Sequence, residues 1–282
     1  ARRFDCPVFF FISPQIWAWR KGRIRTIRES VSKMFVILPF EEKLYLDAGV
    51  DAEFLGHPFV DLVRPSRTRE ESQKKYSLSP KLKTIGLLPG SRMNEVNSLL
   101  GVMVQAAEKI LSELGSCRFL LPVADSIDPD LIRKRLGDNP LGIQLLEGQS
   151  YDVMNSCDML IIASGSATLE AGIIGCPMVI IYKLNPLTYF LAKLLVNAPL
   201  VGLVNIVAEE EVVPELIQNK VTAENISAEV LAVLRAPEKE KAIRERLLKI
   251  KNTLGKPGVM KVVAKRIAVF MERLSANEKN PV

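Results

Sequence analysis

The sequence holds one histidine, four cysteines and two tryptophans among 282 residues, and each scarcity removes a class of chemistry. With His57 as the single imidazole, a Ser-His-Asp triad built on Ser164 or Ser166 is disfavoured, and the GxSxG elbow that would present such a serine is missing as well. His57 has too few neighbouring ligand residues for a metal site, so within Gly56-His57-Pro58 it reads as a structural hinge ahead of an acid–base group. Cys6, Cys117, Cys157 and Cys176 show no CxxC spacing; they read as reduced thiols filling a core, which suits a cytosolic compartment. Neither GxGxxG nor GxxxxGK(S/T) occurs, which disfavours a Rossmann dinucleotide site and a P-loop. A long uninterrupted apolar run is also lacking. The longest candidate, Met159 to Tyr182, is broken by Ser164-Gly165-Ser166, Glu170 and Gly175-Cys176-Pro177. It therefore divides into strand, loop, helix, loop and strand inside a buried α/β segment and does not read as a membrane span. There is no internal repeat, low-complexity tract or visible signal peptide. The chain starts at Ala1 and runs directly into a strand-like segment, so the N-terminal lobe is expected to be truncated.

What is present is a 48% hydrophobic chain, long enough for two lobes or one large α/β domain. Its net charge of +6 is unevenly spread. Residues 1–34 hold eight Lys and Arg against two Asp and Glu, and residues 235–282 hold thirteen against five, while the stretch between them is net acidic. Basic ends of this kind suit an anionic partner such as nucleic acid, anionic lipid or a phosphorylated small molecule, or else solvated helix faces. Cys6–Ile12 and Lys33–Leu38 read as buried parallel strands flanking an amphipathic helix with Ile24, Ile27 and Val31 on one stripe. A helix opening at Pro39 and a strand at Ala52–Leu55 follow. Between Gly56 and Pro80 the apolar pattern lapses into prolines and charge, as in a linker with a short helix. From Thr84 onward, strands at 84–88, 118–122, 142–146, 159–162 and 178–182 alternate with helices, and three helices close the chain. Such alternation predicts a doubly wound parallel sheet.

Ligands of doubly wound sheets settle at the carboxyl ends of strands. Two glycine-serine turns fall there and precede helices: Gly90-Ser91-Arg92, and Ser164-Gly165-Ser166 followed by Glu170. Two helix N-termini and one guanidinium would cradle a diphosphate without a metal, because backbone N–H groups and the Arg fork both favour oxyanions. A carboxylate in so apolar a setting calls for a partner, and a ribose would provide one. The plainer alternative is that the glycines merely permit tight βα turns. Trp17 and Trp19, beside Arg20, suit an amphipathic surface facing anionic lipid, or core packing. Leu187–Val196 reads as an interfacial or a core helix.

Five segments, Ile12-Ser13-Pro14-Gln15-Ile16-Trp17-Ala18-Trp19-Arg20, Ile37-Leu38-Pro39-Phe40-Glu41, Gly56-His57-Pro58, Leu87-Leu88-Pro89-Gly90-Ser91-Arg92 with Glu95, and Ala163-Ser164-Gly165 to Glu170, closely resemble the lipid-A-disaccharide synthases in order and spacing. The resemblance covers essentially the whole chain. It implies a GT-B-like α/β fold of two Rossmann-like doubly wound lobes. It also implies an inverting, metal-independent glycosyltransferase, with no cofactor, that moves 2,3-diacylglucosamine from UDP-2,3-diacylglucosamine to 2,3-diacylglucosamine 1-phosphate. Residues 1–57 would be the remnant of the acceptor- and lipid-facing lobe, 58–80 a linker, 81–255 the nucleotide-sugar lobe, and 256–282 a helix crossing back to the first lobe. Arg92 would stabilise the leaving diphosphate, which the Ser164–Ser166 turn would also meet, and Gly90, Ser91, Glu95, Ser164, Gly165, Ser166 and Thr168 would belong to the donor-binding set. Glu170 would meet the ribose and Asn205 the nucleotide side of the cleft, with the general base expected in the missing N-terminal part. Trp17, Trp19 and Arg20 would face the acceptor and the anionic inner membrane, placing the enzyme peripherally on its cytoplasmic side. Nucleic acid is not an implied partner, and a homodimer is compatible with the resemblance. The chain departs from the family at Leu203-Val204-Asn205 and Ala208-Glu209, where Leu-Pro-Asn and then Ala-Gly are usual. Two rival readings stand beside this one: a UDP-N-acetylglucosamine 2-epimerase in the same kind of cleft, and a noncatalytic fragment that binds nucleotides or anionic surfaces.

Overall fold

The computed structural model describes residues 6–16, 22–184 and 200–279, with side chains up to Glu272. Trp17, Trp19, Arg20 and the segment 187–196 lie outside the described residues. The chain forms two compact units, one holding the described residues up to Leu62 and from Lys251 onward, the other those from Val63 to Ile250.

The first unit is built on three parallel strands in the order β1-β2-β3. Its elements run β1 (Phe9–Phe11), α1 (Arg23–Ser30), β2 (Lys33–Val36), α2 (Pro39–Asp47), β3 (Ala52–Phe54) and α3 (Phe59–Leu62). Side chains alternate across a strand, so β2 feeds two cores. Met34 and Val36 join Ile16, Tyr45, Val50 and Ala52 on one face, while Phe35 meets Val259 and Val263 of the C-terminal helix, Val259–Lys279, on the other. His57 is buried here. Its backbone N–H donates to the Leu254 carbonyl (2.8 Å), its Nδ1 accepts from the Phe59 N–H (3.0 Å), and its ring tilts against Phe59. Burial lowers its pKa to about 4, so the ring is a neutral structural element at neutral pH.

The second unit carries six parallel strands in the order β6-β5-β4-β7-β8-β9. Its elements are α4 (Arg69–Lys75), β4 (Lys83–Leu88), α5 (Met93–Leu114), β5 (Cys117–Val123), α6 (Pro129–Leu136), β6 (Gln144–Glu147), α7 (Ser150–Ser156), β7 (Met159–Ala163), α8 (Ser166–Ile174), β8 (Met178–Tyr182), α9 (Leu203–Ala208), β9 (Glu215–Ile217), α10 (Ala223–Leu234) and α11 (Pro237–Thr253). Strands β4 and β7 are buried almost throughout, as strands covered on both faces must be. Helix α5 buries the stripe Val96, Leu99, Leu100, Met103, Ala106, Ala107 and Ile110, at the spacing of one helical face. Gly172 lets α8 and α9 approach closely: a Cβ there would lie 2.7 Å from Val204 Cγ2. The chain builds outward from β4 to β5 and β6, then returns to β7 on the other side of β4. The winding therefore reverses between β4 and β7, and a crevice opens at their carboxyl ends.

The stretch 58–80, expected to be a linker, is pinned to the second unit from Ser66 onward. The Asp152 carboxylate accepts from the Ser66 N–H and hydroxyl and from the Arg67 N–H and guanidinium, at 2.6 to 3.1 Å. Arg69 pairs with Asp158 at 2.6 Å, and Thr68 caps α4 reciprocally with Glu71.

Candidate active site

The turns after β4 and β7 lie side by side at the switch point, because their strands pair directly (Leu88 opposite Ile162). Between them is a hollow of about 430 Å³ lined by Gly90, Ser91, Arg92, Glu95, Ser164, Gly165, Ser166 and Glu170. Those eight residues are the larger part of the expected donor site. A second hollow of about 450 Å³, bordered by Gly148, Gln149, Tyr151 and Asp125, shares Ala124, Ser150 and Glu170 with the first. Glu170 therefore stands where the two meet.

The first turn is held by its own acid. Glu95, third residue of α5, accepts through Oε2 from the N–H groups of Ser91 (3.0 Å) and Arg92 (3.3 Å), and through Oε1 from Arg92 Nη1 (2.9 Å). Glycine is required ahead of it on two counts. Gly90 has φ +112°, and a Cβ would sit 2.2 Å from Glu95 Oε2. The Ser126 hydroxyl braces the turn from behind by donating to the Ser91 carbonyl (2.7 Å). The Arg92 side chain is 80% exposed and borders the hollow.

The second turn is held differently. The Ser164 N–H donates to the Ile181 carbonyl and its hydroxyl to the Val201 carbonyl (2.9 Å). Gly165, Ser166 and Ala167 all border the hollow, and α8 has no acid in its first turn, so the positive end of its dipole is not offset by a side chain there. Burial raises the pKa of Glu170, partly offset by hydrogen bonds from Ser166 and Tyr151. The Tyr151 hydroxyl is itself raised by burial and by that carboxylate.

Two expected donor residues are placed elsewhere. Thr168 is fully buried, and its hydroxyl donates to the Gly165 carbonyl (2.8 Å), closing the first turn of α8. Asn205 is also fully buried. Its Nδ2 donates to the Val213 carbonyl and Glu215 Oε1 (both 2.8 Å), and its Oδ1 accepts from the Val212 and Val213 N–H groups (2.9 and 3.1 Å). Every hydrogen-bonding position of that amide is taken, so Asn205 braces the loops around α9 and does not face the cleft. Glu215 completes the brace by accepting from the Val201 and Gly202 N–H groups. Glu209 ends α9 at φ +55° in the left-handed region. Sequence reasoning did not find Tyr151, Ser126 or Glu215. Tyr151 follows a serine at the start of a helix after a sheet strand, a weak positional signal.

Comparison with known proteins decides the family. The family model for lipid-A-disaccharide synthetase matches residues 1–263. A lipid-A-disaccharide synthase of Syntrophus aciditrophicus is 44% identical over 96% of this chain and 70% of its own length, and one of Geobacter sulfurreducens is 41% identical over 94% and 69%. The chain belongs to the lipid-A-disaccharide synthase family. Its fold is that of GT-B enzymes. A UDP-GlcNAc 2-epimerase from Neisseria meningitidis, solved with UDP-GlcNAc bound, superposes with a TM-score of 0.63 at 14% identity, covering 93% of this chain and 70% of that one. A glycosyltransferase from Rickettsia africae superposes with 0.58 at 13%, covering 97% and 72%. At those identities the likeness is one of architecture, whereas the synthase relatives match in sequence. Synthase membership therefore replaces the epimerase alternative. Among the described residues no three His, Cys, Asp or Glu are grouped to hold a metal ion.

Proposed function

We propose that this chain carries the nucleotide-sugar site of a glycosyltransferase that moves 2,3-diacylglucosamine from its UDP conjugate to 2,3-diacylglucosamine 1-phosphate, releasing UDP and forming the lipid A disaccharide. The observation that carries the reading is the meeting of two strand-to-helix turns, one guanidinium and one half-buried carboxylate on a single hollow at the switch point. Arg92 and the first-turn N–H groups of α8 take the diphosphate oxygens. Glu170 accepts from the ribose hydroxyls, with the base directed into the hollow beside Gly148 and Tyr151.

Inverting transfer requires in-line attack by the acceptor hydroxyl and stabilisation of charge on the departing diphosphate. The residues assigned here serve the second need. Donors fixed before the reaction, such as the α8 N–H groups, do not have to reorganise as the C–O bond breaks, and Arg92 adds a full positive charge where negative charge accumulates. In this reading the unit holding the described residues up to Leu62 and from Lys251 onward is the acceptor lobe with the returning helix, and the unit from Val63 to Ile250 is the donor lobe.

The basic N-terminal segment with Trp17, Trp19 and Arg20 approaches the anionic cytoplasmic face of the inner membrane in this reading. Its support is the local charge and the paired indoles. Among the described residues no helix is long and apolar enough to cross a membrane. The decisive assay follows UDP release from the diacylated donor by the full-length gene product, with and without the phosphorylated acceptor. Acceptor-dependent release is expected. Equal release without acceptor, or an unacylated donor used equally well, would overturn the assignment.

A further inference from the structure

The donor site, read as above, contains an anion of its own. The Glu95 carboxylate spans the Gly90 turn, taking the Ser91 and Arg92 N–H groups on one oxygen and the Arg92 guanidinium on the other. A diphosphate oxygen entering the same turn would claim those donors. Helix α5 thus has its N-terminal anion position filled by a side chain, while α8, across the same hollow, does not. The filling is tight: Oε2 lies 2.2 Å from where a side chain on residue 90 would begin, so the carboxylate rests directly on the glycine backbone. It is also reversible in construction. The Glu95 side chain keeps 29% of its surface exposed, and Arg92 keeps 80%, so both have solvent to move into.

We infer that Glu95 is an exchangeable stand-in for the diphosphate, holding the Gly90 turn and Arg92 in the empty site and competing with the leaving UDP for the same donors. Two anions cannot share one small set of donors at contact distance without strong repulsion. Donor binding therefore displaces the carboxylate toward solvent, and Arg92 passes to the phosphate oxygens. After transfer the carboxylate returns and takes the donors back one at a time, which shortens the residence of UDP. The turn is never left with its N–H groups and guanidinium unsatisfied, and the cost of emptying the site is correspondingly lower. Glu95 is in this respect a positioning residue for Arg92. Its charge limits nucleotide affinity, and its hydrogen bonds preserve the shape of the turn.

This inference rests on the proposed nucleotide-sugar site, and its test separates the two. Uridine, UMP and UDP are titrated calorimetrically into the full chain and its Glu95→Gln and Glu95→Ala variants, with UDP dissociation followed by stopped flow. Glu95→Gln keeps an acceptor for the N–H groups and loses the charge. It should bind UDP about tenfold more tightly, the scale of one charge-assisted hydrogen bond at a partly exposed site, and release it correspondingly more slowly. Uridine affinity should stay unchanged, and the UDP gain should shrink in high salt. In turnover, kcat and the donor KM should fall together. Glu95→Ala should shift UDP affinity in the same direction, less strongly because the turn loses its brace. Weaker or unchanged UDP binding in both variants, with uridine unaffected, would overturn the exchange while leaving the donor site standing. Parallel loss of uridine and UDP in both would mark Glu95 as purely structural and equally overturn it. A wild-type chain that binds none of the three would remove the donor-site reading itself, and this inference with it.

Discussion

The two turns that border the hollow are alike in topology and opposite in charge. Each follows a central strand, each contains glycine and serine, and each opens a helix. Yet α5 brings Glu95 into its first turn, and α8 brings no acid at all. Residues after the first turn invert the pattern. The α8 helix carries Glu170 one turn in, half-buried and held by Ser166 and Tyr151, while α5 has the exposed, uncharged Asn97 at the matching position. One fold position thus yields a helix start with no acid in its first turn and a half-buried carboxylate behind it, and beside it a helix start whose first turn is held by its own acid. Helix N-termini supply the same backbone donors everywhere, so side chains of the first two turns decide what such a donor set can bind.

The strongest break in this comparison is to remove the mobile cation. Arg92→Ala should lower kcat by about 100- to 1000-fold, the loss seen when one preorganised oxyanion donor is deleted, with little change in thermal stability because the side chain is exposed. Unchanged kinetics would reject its role. The next test gives α8 the acid that α5 already has. Ala167 borders the hollow in the first turn of α8, and Ala167→Asp should weaken UDP binding by about tenfold to a hundredfold through like-charge repulsion. The same acid should leave stability level or raise it by about 0.3–1 kcal/mol through the helix dipole. Opposite signs in calorimetric binding and thermal melting would show that the lost affinity is electrostatic and not a folding defect.

The second unit was largely legible in the sequence, and the reasons are physical. Strands such as Met159–Ala163 are buried on both faces, so they appear as plain apolar runs between turn residues, and the strand–helix alternation then admits few topologies. That eight of the expected residues line one hollow follows from where strand ends and glycine-serine turns fall, which can be located without coordinates. Thr168 and Asn205 were misplaced for a complementary reason. A polar residue near a site motif can point inward and be consumed by backbone groups, as the four hydrogen bonds of Asn205 show, and one-dimensional spacing does not reveal this. Strand β9 and helix α9 were missed because three residues and six residues of mixed character carry too little periodicity. Tyr151, from the start of α7, and Ser126, from the loop after β5, reach the site from other parts of the sequence, which is tertiary information.

Glu170 offers a subtler test of the α8 side. Burial raises its pKa above the ordinary 4.5, so the folded chain binds this proton more tightly than the unfolded one. Its contribution to stability is present at pH values below the unfolded pKa and is lost as pH rises through the folded value. At neutral pH the ionised carboxylate is held against that cost. Glu170→Gln should consequently raise the melting temperature of the ligand-free chain at pH 7, with the gain fading as pH falls through the raised native pKa and gone below about pH 4.5, where the carboxyl is neutral in both states. UDP affinity should fall by about tenfold, since a ribose hydroxyl loses a charged acceptor. A variant both less stable and still tight for UDP would contradict the assignment of Glu170 to the ribose.

The smallest expected effect isolates the hydroxyl that steadies this carboxylate. Tyr151 donates to Glu170 and also borders the second hollow, so Tyr151→Phe removes one hydrogen bond while keeping the ring. The remaining partner, Ser166, then stabilises the ionised form alone, and the Glu170 pKa should climb further. UDP binding should weaken only about two- to fivefold at pH 8, in line with a single neutral hydrogen bond, but by more as pH is lowered toward the raised Glu170 pKa, where the carboxyl takes up a proton and loses an acceptor for the ribose hydroxyls. Calorimetric titration across that range measures the difference directly. A loss independent of pH would mean that Tyr151 acts through packing in the second hollow and not through the carboxylate. The contrast between the two turns would then narrow to Glu95 and Arg92 alone.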